Sequence, residues 1–145
     1  MNTEKITRLL KISMIIGGIV DSIMVIVFLM PFLRILIFGE SSGFHTSQYE
    51  WSMRLLGSLG AAWTVLLFWA SKKPFERKDI LFFTVFPLMF GAYSSTLYGF
   101  LTKTISLQFF ILFTFITFAH CPFFLYIWIK AKRAEETYNT GNKGR

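Results

Sequence analysis

The sequence predicts an all-α integral membrane protein: a four-transmembrane-helix bundle with N and C termini in the cytoplasm. Three observations predict it. Four long stretches are almost purely apolar, nearly every Lys and Arg falls on one side of them, and Trp and Tyr gather at their ends. The chain has 145 residues, 54% of them hydrophobic and 18 of them Phe, with a mean hydropathy of +0.54. A soluble domain of this length has too little interior to hide so much apolar matter. A bilayer accepts apolar side chains all around a helix. Four helices and their connections leave no length for a second unit, so one membrane domain over residues 1–145 is expected.

The first span is expected at about 12–32, preceded by Lys5, Arg8 and Lys11. That opening resembles a signal peptide. The apolar run is too long for one, Asp21 interrupts it and no small-x-small site follows, so a retained helix is expected. Pro31 disturbs the helix by removing an N–H donor and crowding the preceding turn. A helix unbroken through Phe38 would reach about 40 Å, too long for a typical hydrocarbon core. Residues 32–38, apolar apart from Arg34, are therefore read as a short interfacial segment, and 39–49 as a polar loop carrying the lone His45.

The second span is expected at about 53–70, with Tyr49 and Trp51 at its start and Trp69 at its end, where amphipathic rings prefer to lie. A short basic loop follows to Asp79. The third span is expected at about 80–101, a tight turn at Thr102–Thr104, and the fourth span at about 105–129. Residues 130–145 are expected to form a polar, basic tail with a disordered tip.

Orientation follows from the cations. Lys5, Arg8, Lys11, Lys72, Lys73, Arg77, Lys78, Lys130, Lys132, Arg133, Lys143 and Arg145 fall on one side, against Arg34, Arg54 and Lys103 on the other. The positive-inside rule puts the first side in the cytoplasm. The net charge of +7 is thus an orientation signal and an attraction to anionic headgroups, which argues against a nucleic-acid partner. Membrane lipids are the expected surroundings, and a multi-pass protein of a bacterial cytoplasmic membrane is the expected setting.

Small residues stripe three helices: Gly17, Gly18 and Ser22, then Gly57, Ser58, Gly60, Ala61 and Ala62, then Gly91, Ser95 and Gly99 at four-residue spacing. Such stripes let backbones approach closely. Packing within the bundle is the expected use. Dimerisation through the Gly91 stripe is the sharper one.

Asp21 falls near the middle of the first span. A carboxylate there costs roughly 2.5–3.5 kcal/mol to insert, so it normally faces protein or water and has a partner. It reads either as a proton or cation site or as a neutral acid hydrogen-bonded to a neighbouring helix. His120, within roughly 5–7 Å of the same depth by helical rise, is the candidate partner. Its alternative is a bond to a backbone carbonyl freed by Pro122. Arg54 opens the second span and is expected to snorkel, with an inward reach to Asp21 or an anionic ligand as the alternative. Tyr93, with Ser94, Ser95, Thr96 and Tyr98, gives the third helix a hydroxyl-rich outer half suited to helix–helix hydrogen bonds. No residues have metal-ligand spacing, and no catalytic motif, phosphate loop or nucleophile elbow is present. Cys121 is the single cysteine, so no intrachain disulfide forms.

Arg54-Leu-Leu-Gly57 opens a small-residue-rich helix, Trp69-Ala-Ser-Lys-Lys-Pro74 closes it, and Glu76-Arg-Lys-Asp-Ile80 opens the next. With the chain length, the four-span topology and the proline-containing connection after the first helix, this resembles the DoxX-like group of small four-helix bacterial membrane proteins. The resemblance implies the four-helix fold and a subunit or partner role in membrane redox systems such as quinone oxidoreductases or thiol-stress complexes. Two functions compete. One is a non-catalytic accessory or scaffold module that binds a lipid or quinone, or a membrane redox partner, without a resident cofactor of its own. The other is a small proton-coupled carrier acting as a homodimer through Asp21. Enzyme activity ranks behind both, since it would need Asp21 and His120 to act as acid and base.

Overall fold

The computed structural model describes the backbone of residues 3–38 and 46–143 and the side chains of 4–37 and 46–137. His45 and loop residues 39–45 lie outside the described residues. Among the described residues six α-helices follow one another: α1 (Thr3–Leu29), α2 (Pro31–Phe38), α3 (Ser47–Ala70), α4 (Asp79–Phe83), α5 (Phe90–Leu101) and α6 (Leu107–Lys143). No strand occurs among the described residues. Among the described residues, four stretches are long and apolar enough to cross a membrane: Glu4–Leu29, Ser47–Ala70, Asp79–Leu101 and Leu107–Thr137. Their outward faces agree. Ile23, Leu59, Val65, Phe115 and Phe118 all lie more than half exposed in mid-helix, Phe115 at 74%. Water would penalise that surface heavily, whereas lipid does not.

Local chemistry sets the helix ends, and several fall elsewhere than the hydropathy alone predicts. α1 begins at Thr3 rather than near residue 12, because Ile6 and Leu10 continue the buried face that runs on to Met14. Pro31 ends α1 and then opens α2, where a missing N–H costs nothing at a first helical position. Residues 32–38 are thus a separate helix. α3 starts at Ser47, about a turn and a half before the expected 53, because the Thr46 hydroxyl accepts the Tyr49 N–H at 3.2 Å. Ser106 does the same for α6, accepting the Phe109 N–H at 3.2 Å. Between α5 and α6 the chain reverses at Lys103, whose φ is 58°, and Thr104 Oγ1 donates to the Gly99 carbonyl at 2.8 Å.

The third span is not one helix. Pro87 forces Phe86 into an extended conformation (φ −120°, ψ 120°) and breaks the span across Thr84–Met89. The expected tail from Lys130 is also corrected, since α6 continues through it to Lys143. Its Ala, Lys, Arg and Glu residues are good helix formers, and the extension has a surface to dock on. Ala131 is buried with Ile6, Leu10, Ala70, Leu81 and Ile127. Lys78 Nζ meets Glu135 Oε1 at 3.0 Å, and Trp128 Nε1 donates to Asp79 Oδ1 at 2.9 Å. The basic loop is anchored as well, with Arg77 over the Trp69 ring at 3.2 Å.

Packing makes an open bundle. α1 and α3 share the most extensive contact, α1 also packs on α6, and the third span packs on α6 throughout its length. α3 and α5 make no extensive contact with each other. The helices therefore stand in the spatial order α3, α1, α6, α5, and the fourth side of the bundle does not close.

Candidate functional site

The unclosed side holds a cavity of about 840 Å³. Met53, Leu56 and Trp63 wall it from α3, Met24 and Phe28 from α1, and Phe109 and Phe113 from α6. The third span supplies the remaining wall: Phe83, Pro87 and Leu88 at the break, then Gly91, Ser95, Thr96 and Tyr98. Pro87 thus shapes the cavity as well as breaking the helix. From Phe83 to Gly99 the cavity runs roughly 20 Å along the helix axis. No Lys, Arg, Asp or Glu lines it. Its side-chain polar groups are hydroxyls and the Trp63 indole N–H, which is buried without a partner; the hydroxyls of Ser95 and Thr96 already donate to carbonyls one turn back, at 3.0 and 2.8 Å. They offer a guest only their lone pairs. The Tyr49 and Tyr98 side chains bring phenol groups to the end of the cavity near the Thr102–Thr104 turn.

The small-residue stripes divide between two roles. A Cβ placed on Gly57 would lie 2.8 Å from Leu29, and one on Gly60 2.9 Å from Val25, so both glycines let α3 approach α1. Gly99 sits against Thr104 and Ile105 of the turn. Gly91 differs from the packing expected of it, because a Cβ there would meet nothing within 4 Å. Gly91 and Ser95 face the cavity.

Among the intramembrane polar residues, Asp21 and His120 come within electrostatic reach of each other, but no hydrogen bond joins them. Asp21 Oδ2 is buried without a hydrogen-bond partner. The His120 ring turns to its own helix, Nδ1 lying 2.8 Å from the Ile116 carbonyl. That carbonyl is not the one Pro122 frees, which by the i−4 rule belongs to Phe118. Arg54 is exposed and does not reach Asp21. Tyr93 meets Phe118 edge-on, with ring centroids 6.0 Å apart. No group of three or more His, Cys, Asp or Glu side chains assembles among the described residues.

No family model, no curated protein and no solved structure matches this chain.

A further polar site lies outside the residues that the sequence singles out. Arg34, one of the few cations on the sparsely charged side, is 0% exposed and paired with Glu50 in the first turn of α3. It also donates to the Phe28 carbonyl and lies 5.6 Å from the centre of the Tyr49 ring. The pair ties α2 to α1 and α3 beside the phenol end of the cavity. A signal was available: Arg34 interrupts an apolar run, and an arginine in such surroundings needs a partner.

Proposed function

We propose that this protein is a non-catalytic membrane module that holds a neutral, quinone-type lipophile in the cleft between α3 and α5 and serves a membrane redox partner. The observation that carries the reading is a cavity of about 840 Å³ with aromatic walls and no charged lining residue. Its size falls in the range of small-molecule sites. A phospholipid brings a charged phosphate that seeks Lys or Arg, and the lining has neither. A quinone brings only carbonyl oxygens and an apolar tail. Phenol donors at one end and Phe, Leu, Met and Trp side chains along the rest complement that molecule. The resemblance to the DoxX-like group points the same way. In this reading both termini are cytoplasmic and the membrane is a bacterial cytoplasmic membrane, with the phenol end of the cleft toward the outer leaflet.

Native mass spectrometry tests it. Wild type and Gly91→Leu are each offered a short-chain quinone or phosphatidylglycerol in nanodiscs. Gly91→Leu fills space that no neighbour occupies. Wild type is expected to retain the quinone in preference to the phospholipid, and Gly91→Leu to bind it at least about tenfold more weakly, a change of about 1.4 kcal/mol. Equal retention by both proteins, or preferential retention of phosphatidylglycerol, ends the reading.

The unpartnered Asp21 carboxylate favours a second reading, a proton-coupled carrier acting as a homodimer. Asp21→Asn would then abolish coupled transport in a folded protein, and unchanged transport removes this alternative.

A further inference from the structure

Three helix faces meet at the middle of the bundle. On α3, Gly57, Gly60, Thr64 and Leu67 follow the three-and-four spacing of a single face. Three of them meet α1: Gly57 at Leu29, Gly60 at Val25, and Leu67 at Gly17. Asp21 stands midway between Gly17 and Val25 on α1, and Thr64 stands between Gly60 and Leu67 on α3. The antiparallel register therefore sets Asp21 and Thr64 level. On α6, Phe124 lies 3.3 Å from the position a Cβ on Gly17 would take. One turn from that contact along each helix come Asp21 and His120. Thr117 follows one turn further on the same face of α6.

The hydrogen-bonding state of these groups is unusual for this chain. Asp21 Oδ2, Thr64 Oγ1 and Thr117 Oγ1 are buried and bonded to nothing among the described residues. Thr64 is 8% and Thr117 7% exposed. Of the other hydroxyls in the spans, those of Ser13, Ser22, Thr84 and Thr96 donate to the carbonyl one turn back, while Thr114 Oγ1, one turn beyond Thr117 on α6, is likewise buried without a partner. His120 completes the set. A carbonyl only accepts, so the 2.8 Å contact with Ile116 O places hydrogen on Nδ1. The neutral ring then presents Nε2 as a bare acceptor. No cation from a neighbouring helix faces the cluster. Arg54 of α3 is exposed, Arg34 of α2 is engaged with Glu50, and Cys121 of α6 directs its thiol to Met89 at 3.7 Å.

A carboxylate, a bare imidazole nitrogen and two idle hydroxyls in a low-dielectric interior make a site for a positive charge. Metal ions fit it poorly. Calcium and magnesium take six or more oxygens, and the surrounding backbone carbonyls are occupied by helical hydrogen bonds. A proton needs only two of these atoms. We propose that Asp21 and His120, flanked by the hydroxyls of Thr64 and Thr117, form a proton-binding site at the centre of the bundle. In one state the Asp21 carboxyl carries the proton. In the other its O–H bond breaks, the proton passes by way of an N–H bond at Nε2 to water, and carboxylate and neutral imidazole remain. The hydroxyls, each able to donate and accept, relay the proton to and from the pair. The site rests on the α1–α3–α6 contact and not on an occupied cleft, so a failed quinone experiment leaves it standing.

Infrared difference spectroscopy of the full-length protein in nanodiscs, titrated with acid and base, tests this. The expected result is a carboxylic-acid carbonyl band that appears and disappears with pH and is lost in Asp21→Asn. His120→Gln should move the midpoint pH of that band, and it provides the test if Asp21→Asn does not fold. A band unchanged in Asp21→Asn belongs to another group and overturns the assignment, as does a midpoint indifferent to His120→Gln. Thermal stabilisation of wild type by sodium over choline at equal ionic strength, absent in Asp21→Asn, would replace the proton with a metal cation and overturn it equally.

Discussion

At the scale of single residues, ion pairing is distributed unevenly. Lys73 and Glu76 sit 3.1 Å apart with both side chains largely in solvent, a setting worth little. Arg34 is fully buried and Glu50 mostly so, which changes the sign of the argument. Removing one partner strands a charge whose desolvation has already been met, whereas removing both removes the cost with the attraction. Arg34→Met alone, or Glu50→Gln alone, is expected to lower stability by about 3 kcal/mol in mixed-micelle unfolding. The double variant Arg34→Met/Glu50→Leu should recover most of it. Single losses below about 1 kcal/mol would place this pair with the surface bridges. Asp21 was legible in the sequence because a carboxylate in an apolar run stands out. Arg34 was legible only as a charge, since its partner Glu50 lies 16 positions further along the chain and in another helix.

Helices carry the next layer. The face of α3 built by Gly57, Gly60, Thr64 and Leu67 holds it to α1, its one extensive contact. Gly60 is the tightest point where the neighbour cannot swing aside, because Val25 is β-branched and fixed at χ1. Gly60→Leu is expected to push α3 off α1 and cost about 1–3 kcal/mol, read by the same unfolding assay. Gly91→Ala places a methyl where nothing stands within 4 Å. It should be neutral or stabilising by up to about 1 kcal/mol, as the helix loses a glycine. Equal losses at the two positions would mean that both stripes pack. The stripes look alike in sequence, because spacing alone places small residues on one face without saying what that face meets. Proline was the neglected element signal: Pro87 breaks the third span at a place where hydropathy runs on without interruption.

For the whole molecule, the open fourth side is the dominant feature, and the direction in which it is mounted matters for any guest. Single-cysteine variants on a Cys121→Ser background test the mounting. Cysteines at positions 5 and 132 should react with an impermeant maleimide only in inside-out vesicles, and one at position 103 only in right-side-out vesicles. The reverse pattern would invert the proposed orientation and turn the phenol end of the cleft to the cytoplasm.

What the sequence by itself determined is the number of apolar helices, their approximate limits and the sorting of cations to one side. These depend on local composition and on helix length against bilayer thickness, which a chain carries without its fold. Tertiary structure alone decided that α3 and α5 stay apart, that Gly91 faces space rather than a helix, and that Arg34 finds Glu50. It also decided that the Thr64 and Thr117 hydroxyls are buried without partners. Each of these depends on which helix stands beside which and at what rotation. Helices apolar on every side leave that choice open, because lipid rewards all their faces equally. A few glycines, prolines and buried polar groups make the choice, and their effect shows only once the helices are assembled.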